Sequence, residues 1–529
     1  MQRWRPWFMR LTLSMLLGAA MVAPAGPAAA GDDSIVRTSG GLVGGTVGAT
    51  VRTFLGIPFA APPVGDLRWR PPQPAASWSG IRPATSFGSA CAQAPGVFAA
   101  NAQQGSTSED CLYLNVYTPN SKRHDPDLPV MVWIHGGGFT EGSASQYDAS
   151  VLAAKGRAVI VTINYRLGPF GFLSLPGLSA EERDQSSGNY GIQDQQAALR
   201  WVRRNIARFG GSPRNVTIFG ESAGGLSVCA NLASPTADDL FARAITESGP
   251  CAATLPTLAS AQAAGAAVAT GLGCADATTQ VSCMRGVAVS SLLSAAGAFR
   301  PNVDGSVLAQ QIPAAIASGQ FNRVPVMEGS NHDEYRLFVA LQFDLAGFPP
   351  GHPILADQYA GLVQATFGGV APKVLAEYPL SSFASPSIAW STVLTDSAFV
   401  CPARTADALL SAQVPTFAYE FNDANAPEFI VTDPFMPLGA FHASELPYIF
   451  QPTNTAGFFT PGQLALSDQM IRYWTRFADE GDPNGFATLP WPRYESARDQ
   501  FQSLAPGGTT TITTFAADHR CAFWSSLAG

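Results

Sequence analysis

In the stretch "TIFGESAGGLS", residues 217–227, one serine stands between glycines with a carboxylate beside it. Gly220 and Gly224 lie two places either side of Ser222. Residues 216–219 read as a buried strand and "AGGLSVCANLA" as the start of a helix, so the joint between them is tight. A sharp strand-to-helix turn needs residues without a Cβ where chain segments come close. It pushes the central hydroxyl out at the tip. It also sets the N–H of Ala223 at a helix N-terminus, where developing negative charge is stabilised. The pattern is the G-x-S-x-G of a nucleophile elbow. Taken alone it also fits a plain glycine-rich turn, and its surroundings must decide.

A serine hydroxyl is a weak nucleophile and needs a base and an orienting acid. On a strand–turn–helix scaffold of this kind the order along the chain is serine, acid, histidine. The chain has six histidines, which allows elimination. His124 and His135 precede the serine. His332 and His352 leave no room for an acid on an intervening strand. His519, two residues before Cys521, reads as structural. His442 remains as the base, in the glycine-containing loop "LGAFHASELPY". For the acid, "PVMEGSNHDEYRLF" offers Glu328 inside the apolar run, and Asp333 and Glu334 after the turn. Local physics does not choose between the last two.

A second glycine-rich segment, "WIHGGGF", follows a strand. Three successive glycines let backbone N–H groups approach a ligand with no side chain in the way. Acyl transfer needs such donors aimed at a tetrahedral oxyanion, and losing one slows such reactions by about 10²–10³. A glycine run also serves as a hinge, but a downstream elbow makes the catalytic reading the better one.

These residues require a scaffold that brings strand ends together. "LPVMVWIHGGGF" and "RAVIVTINYRLG" read as strands, "GIQDQQAALRWVRRNIARFG" as an amphipathic helix, and "NVTIFGES" and "FARAITESG" as further strands. Strands alternating with helices predict an α/β fold with a large, mostly parallel sheet covered on both faces. Before them, "GGLVGGTVGATVRTFLGIPFAAPPVGDLRW" predicts short antiparallel strands broken by Gly and Pro. Strands return near "RVPVMEGSN" and "PTFAYEFN", with alanine-rich helices between.

The 529 residues are 46% hydrophobic and 13% charged, enough to bury a large core as one domain over residues 31–529. A net charge of −8 and the absence of a basic patch exclude nucleic acid as the expected partner. The first ten residues carry three arginines, residues 11–22 form an apolar core, and Ala28, Ala29 and Ala30 precede Gly31. This predicts a signal peptide over residues 1–30 and a secreted or periplasmic mature chain with no membrane anchor. Eight cysteines suit an oxidising compartment. The Asn215 sequon sits where a buried strand begins and reads as structural.

Beyond these residue-level readings, the chain resembles a type-B carboxylesterase of the cholinesterase–lipase family of α/β-hydrolases, over nearly all its mature length. The segments that carry the resemblance are "FLGIPFAAPPVGDLRW", "SEDCLYLNVY", "VWIHGGGF", "INYRLGPFGFL", "GNYGIQDQQAALRWV", "FGESAGG", "SNHDEY", "FHASELPYIF", "RFADEGDPNG" and "CAFW". It implies Ser222 as nucleophile, His442 as base and Glu334 as acid, with an oxyanion hole at Gly137, Gly138 and Ala223 and with Glu221 beside the serine. The implied reaction is hydrolysis of neutral esters of small molecules by a monomer, with no cofactor or metal. It also implies bridges between Cys91 and Cys111, Cys274 and Cys283, and Cys401 and Cys521. Cys229 and Cys251 remain; they follow neighbouring elements of the sheet, and a fourth bridge is favoured over two buried thiols.

Two departures from cholinesterases bear on the substrate. The segment between Cys91 and Cys111 holds no tryptophan and one phenylalanine, Phe98, so choline esters lose a cation–π partner. Ala295, Ala296 and Gly297 stand where bulky acyl-pocket aromatics are expected, which predicts a roomier acyl side. Two alternatives use the same scaffold. An adhesion-type member lacks the serine, and a true lipase needs an apolar lid that "AQAPGVFAANAQQGSTSED" does not supply.

Overall fold

The runs read as strands assemble into a central sheet, and the computed structural model describes residues 33–96, 106–120, 127–345, 351–450 and 459–527. The leader over residues 1–30 and Phe98 lie outside the described residues.

Eleven strands form the main sheet among the described residues. In chain order they are β1 (Thr46–Val47), β2 (Val51–Pro58), β3 (Tyr113–Pro119), β4 (Leu128–Ile134), β5 (Val159–Ile163), β6 (Gly211–Glu221), β7 (Arg243–Glu247), β8 (Val326–Asn331), β9 (Thr416–Phe421), β10 (Phe501–Leu504) and β11 (Thr510–Ile512). Their spatial order is β11-β10-β9-β8-β7-β6-β4-β5-β3-β2-β1. Every pairing from β5 across to β10 is parallel, and antiparallel pairs close both edges. A separate small sheet joins Ile35–Arg37, Leu42–Gly44 and Ile81–Pro83.

The central strands are continuous apolar runs because both of their faces are covered. Val130, Met131, Val132, Trp133 and Ile134 are all fully buried, as are Val159, Ile160 and Val161. Helix α1 (Tyr190–Asn205) carries a basic last turn with Arg203 and Arg204, and α2 (Ala223–Ala233) starts directly after β6. The strand expected from Val216 begins earlier, at Gly211, with a register irregularity before Val216. A Cβ at position 211 would lie 2.6 Å from a Val130 methyl, so glycine lets the chain join β4 early.

Residues Ser34–Gly529 cluster as one compact unit. Four disulfides cross it: Cys91–Cys111, Cys229–Cys251, Cys274–Cys283 and Cys401–Cys521. The pair left open by the sequence is thus bridged. No helix of the described residues is long and apolar enough to cross a membrane. The Asn215 side chain donates to the Asp479 carbonyl at 3.2 Å and accepts from Arg243, so its amide is employed inside the fold.

One buried ion pair fixes α1 against the loop that follows β5. Arg166 and Asp194 are 2% and 0% exposed. The guanidinium grips both carboxylate oxygens at 2.7 Å, and the Arg166 backbone N–H adds a third bond at 3.1 Å. Removing one member of such a pair leaves the other charged and unpaired in the interior, a loss of about 3–5 kcal/mol. Asp194→Ala should therefore lower the apparent melting temperature by many degrees. Asp239→Ala, which breaks the exposed Arg203–Asp239 pair, should shift it far less. Thermal unfolding followed by circular dichroism compares the two, and equal melting temperatures would contradict this account of the pair.

Candidate active site

The carboxyl ends of β4, β6, β8 and β9 deliver the chain segments that carry the candidate residues. At the end of β6, Ser222 has φ 59° and ψ −122°, a conformation that side-chain-bearing residues rarely adopt. The turn is held by two backbone bonds: the Ser222 N–H donates to the Glu247 carbonyl, and the Ser222 carbonyl accepts from Leu226, both at 2.9 Å. The flanking glycines are forced by space. A Cβ at Gly224 would lie 2.0 Å from the Ile134 carbonyl oxygen, and one at Gly220 would lie 2.6 Å from it. Ser222 is the partly exposed residue at this tip, and Ala223 opens helix α2.

Glu334 and His442 meet across a long stretch of chain. His442 Nδ1 lies 2.6 Å from Glu334 Oε2, and the other Glu334 oxygen accepts the Asn331 N–H at 2.7 Å. Asp333 faces elsewhere. Its carboxylate pairs with Arg336 at 2.8 Å and accepts the Ala440 N–H at 3.0 Å, so it shapes the loop ahead of His442 without reaching the ring. Glu328, the third acid the sequence offers, is buried inside β8 and accepts the Cys251 N–H at 3.2 Å. The two neighbouring acids of the motif therefore have separate tasks.

The remaining ring nitrogen of His442 lies 2.9 Å from Glu221 Oε1. Phe338 and Phe399 pack on the ring, with centroids 4.9 and 5.1 Å away. Burial disfavours a charged imidazole here, but Glu221 and Glu334 outweigh it and hold the His442 pKa well above its ordinary value. Two more carboxyls surround this group. Burial above all, with repulsion from Glu221, raises Glu247 to about 8 and Glu445 well above the usual carboxylate range. Glu247 is held by the Trp474 indole N–H at 2.8 Å, and Glu445 by the side-chain amide of Asn331. Sequence reasoning passed over both. Their signal was a glutamate inside the apolar run "AITE" and another three residues after His442.

The glycine loop after β4 lies directly against the elbow. A Cβ at Gly136 would sit 2.8 Å from a Glu221 carboxylate oxygen and 3.1 Å from Ser222 Cβ. Gly137 and Gly138 take φ of +98° and +61°, and a Cβ at Gly137 would strike the Glu141 carbonyl at 2.2 Å. Among the described residues, no acceptor is paired with the N–H groups of Gly137, Gly138 or Ala223. His135, set aside in the sequence because it precedes the serine, braces this loop. Its Nδ1 bonds the Gly136 carbonyl at 2.8 Å, its ring stacks on Tyr165, and the Tyr165 hydroxyl donates to the His135 carbonyl. Burial lowers its pKa to about 4, so the brace is a neutral imidazole.

Ser222, His442, Glu221, Gly137 and Gly138 all line one cavity of about 270 Å³, walled by Tyr147, Phe338, Phe429, Ile430, Leu446 and Phe450. Ala295, Ala296 and Gly297 do not line it. They border a different groove, with Ala264 and Ser290, so the roomier acyl side inferred from them has no basis. Their segment belongs to a helical insertion between β7 and β8, whose course no strand register dictates.

Comparison with known proteins agrees with this architecture. The carboxylesterase family model matches residues 32–524. The chain is 37% identical to the human cocaine esterase over 506 residues, covering 90% of this chain and 87% of that protein. It is 36% identical to the fumonisin B1 esterase of Sphingopyxis macrogoltabida over 520 residues, covering 92% and 91%. A solved PNB esterase superposes with a TM-score of 0.77 at 34% identity, covering 93% of this chain and all of that one. A family model spanning nearly the whole chain, on an elbow set against a glycine loop, places this protein in the carboxylesterase family as a carboxylic-ester hydrolase.

Proposed function

We propose that the chain is an exported serine carboxylesterase that hydrolyses neutral esters of small molecules through an acyl-enzyme. Ser222 Oγ attacks the ester carbonyl while His442 takes its proton at Nε2. Glu334 fixes the ring through Nδ1 and stabilises the imidazolium that forms. The carbonyl oxygen becomes an oxyanion received by the N–H groups of Gly137, Gly138 and Ala223. Collapse expels the alcohol, which takes the proton back from His442. Water, activated by the same histidine, then attacks the acyl-serine and releases the acid. The observation that carries this reading is the 2.6 Å contact of Glu334 with His442, a ring that lines the same cavity as Ser222. Four disulfides support an oxidising destination, and residues 1–30 are proposed as the cleaved leader.

The cavity favours a neutral ester. Its walls are aromatic and aliphatic, and the nearby Glu221 charge is turned toward His442. Relatives named cocaine esterase and para-nitrobenzyl esterase make a para-nitrobenzyl ester a sensible first probe.

Three outcomes follow. Ser222→Ala should remove nearly all hydrolysis of p-nitrophenyl butyrate with folding intact, and Glu334→Gln should lower kcat by orders of magnitude while Asp333→Asn lowers it far less. Reversed effects of the two acid variants would shift the acid assignment to Asp333. The second concerns pH. Since only the neutral imidazole accepts the serine proton, kcat/KM rises as His442 loses its own. Glu221 helps to hold that pKa up. Glu221→Gln should thus move the acid limb of the kcat/KM profile to lower pH, and an unmoved limb would remove Glu221 from this role. Last, no tryptophan lines the cavity among the described residues, so a quaternary ammonium lacks the strongest cation–π partner and meets only the weaker tyrosine and phenylalanine faces. Kinetics on a panel should rank neutral short-to-medium acyl esters at least about tenfold above acetylcholine in kcat/KM, and the opposite ranking would refute the neutral-ester reading.

A further inference from the structure

Away from the cavity, His332, Glu420 and His519 converge, each offering a ligating atom within 4.8 Å of the other two. His332 directly follows β8, and its N–H donates to the Phe421 carbonyl of β9 at 3.0 Å. Glu420 lies on β9 opposite Ser330 of β8. His519 comes from the C-terminal segment, between the helices Phe515–Asp518 and Cys521–Leu527. Three distant parts of the chain thus supply two imidazoles and one carboxylate.

The surroundings of the two rings match. His332 Nδ1 lies 3.2 Å from Asp333 Oδ1, and His519 Nδ1 lies 2.7 Å from Asp396 Oδ1. Each ring is thereby fixed with Nε2 as the nitrogen left for a further partner, and the His519 Nε2 is 2.8 Å from Glu420 Oε1. The ring centroids are 5.0 Å apart. A carboxylate on the far nitrogen of an imidazole is how proteins set the tautomer and raise the basicity of a metal-binding histidine. Two imidazoles and one carboxylate form a donor set that zinc takes in four-coordinate sites with one position open.

We propose that His332, Glu420 and His519 bind a divalent first-row transition ion of the zinc type, with water as the fourth ligand. Ligand atoms about 2.0–2.1 Å from such an ion stand roughly 3.3 Å from one another. Glu420 and His519 must part slightly, and His332, which is half-buried, must turn inward. Its exposed edge gives the ion a way in. The proton between His519 and Glu420 is the one the ion displaces. Other groups around the site are Arg336 on Asp333, Arg520 at 3.8 Å from Asp396, the Tyr378 hydroxyl on Asp396, and the Asn422 amide on Glu420. The bound ion would tie β8, β9 and the C-terminal segment together, two residues before Glu334.

The test uses the full mature protein, treated with chelator and titrated with Co²⁺ and then Zn²⁺. The expected result is visible absorption of Co²⁺ in a low-coordinate nitrogen–oxygen site, its displacement by Zn²⁺, and a Zn²⁺-dependent rise in melting temperature. His332→Ala should weaken Co²⁺ binding by at least about tenfold and leave p-nitrophenyl butyrate hydrolysis in chelator unchanged. Glu420→Gln should reproduce the loss of the spectrum. No Co²⁺ absorption at millimolar metal, or absorption and stabilisation that survive both substitutions, would overturn the site.

Discussion

The closeness of β4 to β6 at their carboxyl ends governs the site. The Ile134 carbonyl occupies the space that side chains at Gly220 and Gly224 would need, and only that approach brings the glycine loop against the serine. The serine itself sits in a backbone conformation of the kind that costs about 1–3 kcal/mol and persists only where the surroundings overdetermine it. Here they do. One bond ties the Ser222 N–H to β7 through the Glu247 carbonyl, and another starts the helix that follows. Three adjacent strands and one helix therefore hold a single residue, and the sheet's apolar interior secures those strands.

A second constraint is electrostatic. Glu221, Glu247, Glu334 and Glu445 are all buried around His442, where four negative charges would be untenable. The structure eases this by burial that raises the proton affinity of Glu247 and Glu445 and by placing the imidazole between the other two. The Arg166–Asp194 pair solves the same problem differently, by direct neutralisation with a bidentate partner. Both arrangements keep polar groups in a dry interior, but only the first leaves a group that can change its charge during a reaction.

What the sequence revealed is what local chemistry encodes. The elbow, the glycine loop and the buried strands are written in contiguous residues, because each depends on missing Cβ atoms or on unbroken apolar runs. The choice between Asp333 and Glu334 was not legible from local physics, since the two differ by one position along a turn whose direction is set by Ala440 and Arg336. The resemblance pointed to Glu334, and the geometry brings Glu334 to the ring. The placement of Ala295, Ala296 and Gly297 failed for a related reason: a helical insertion takes its course from distant packing that its own residues do not specify. Glu247 and Glu445 stand in the sequence like ordinary acids, and only the fold shows that both are buried.

The loop from Gly136 to Gly138 carries a consequence for how such a protein diversifies. The proposed oxyanion donors are main-chain groups, so among single replacements only proline removes the N–H itself. Substitutions at Phe429 or Ile430 alter the shape of the wall. Oxyanion binding and selectivity therefore reside in different parts of the polypeptide, one in peptide bonds and the other in exchangeable side chains. A lineage can drift from one ester to another by changing the second while the first stays in place.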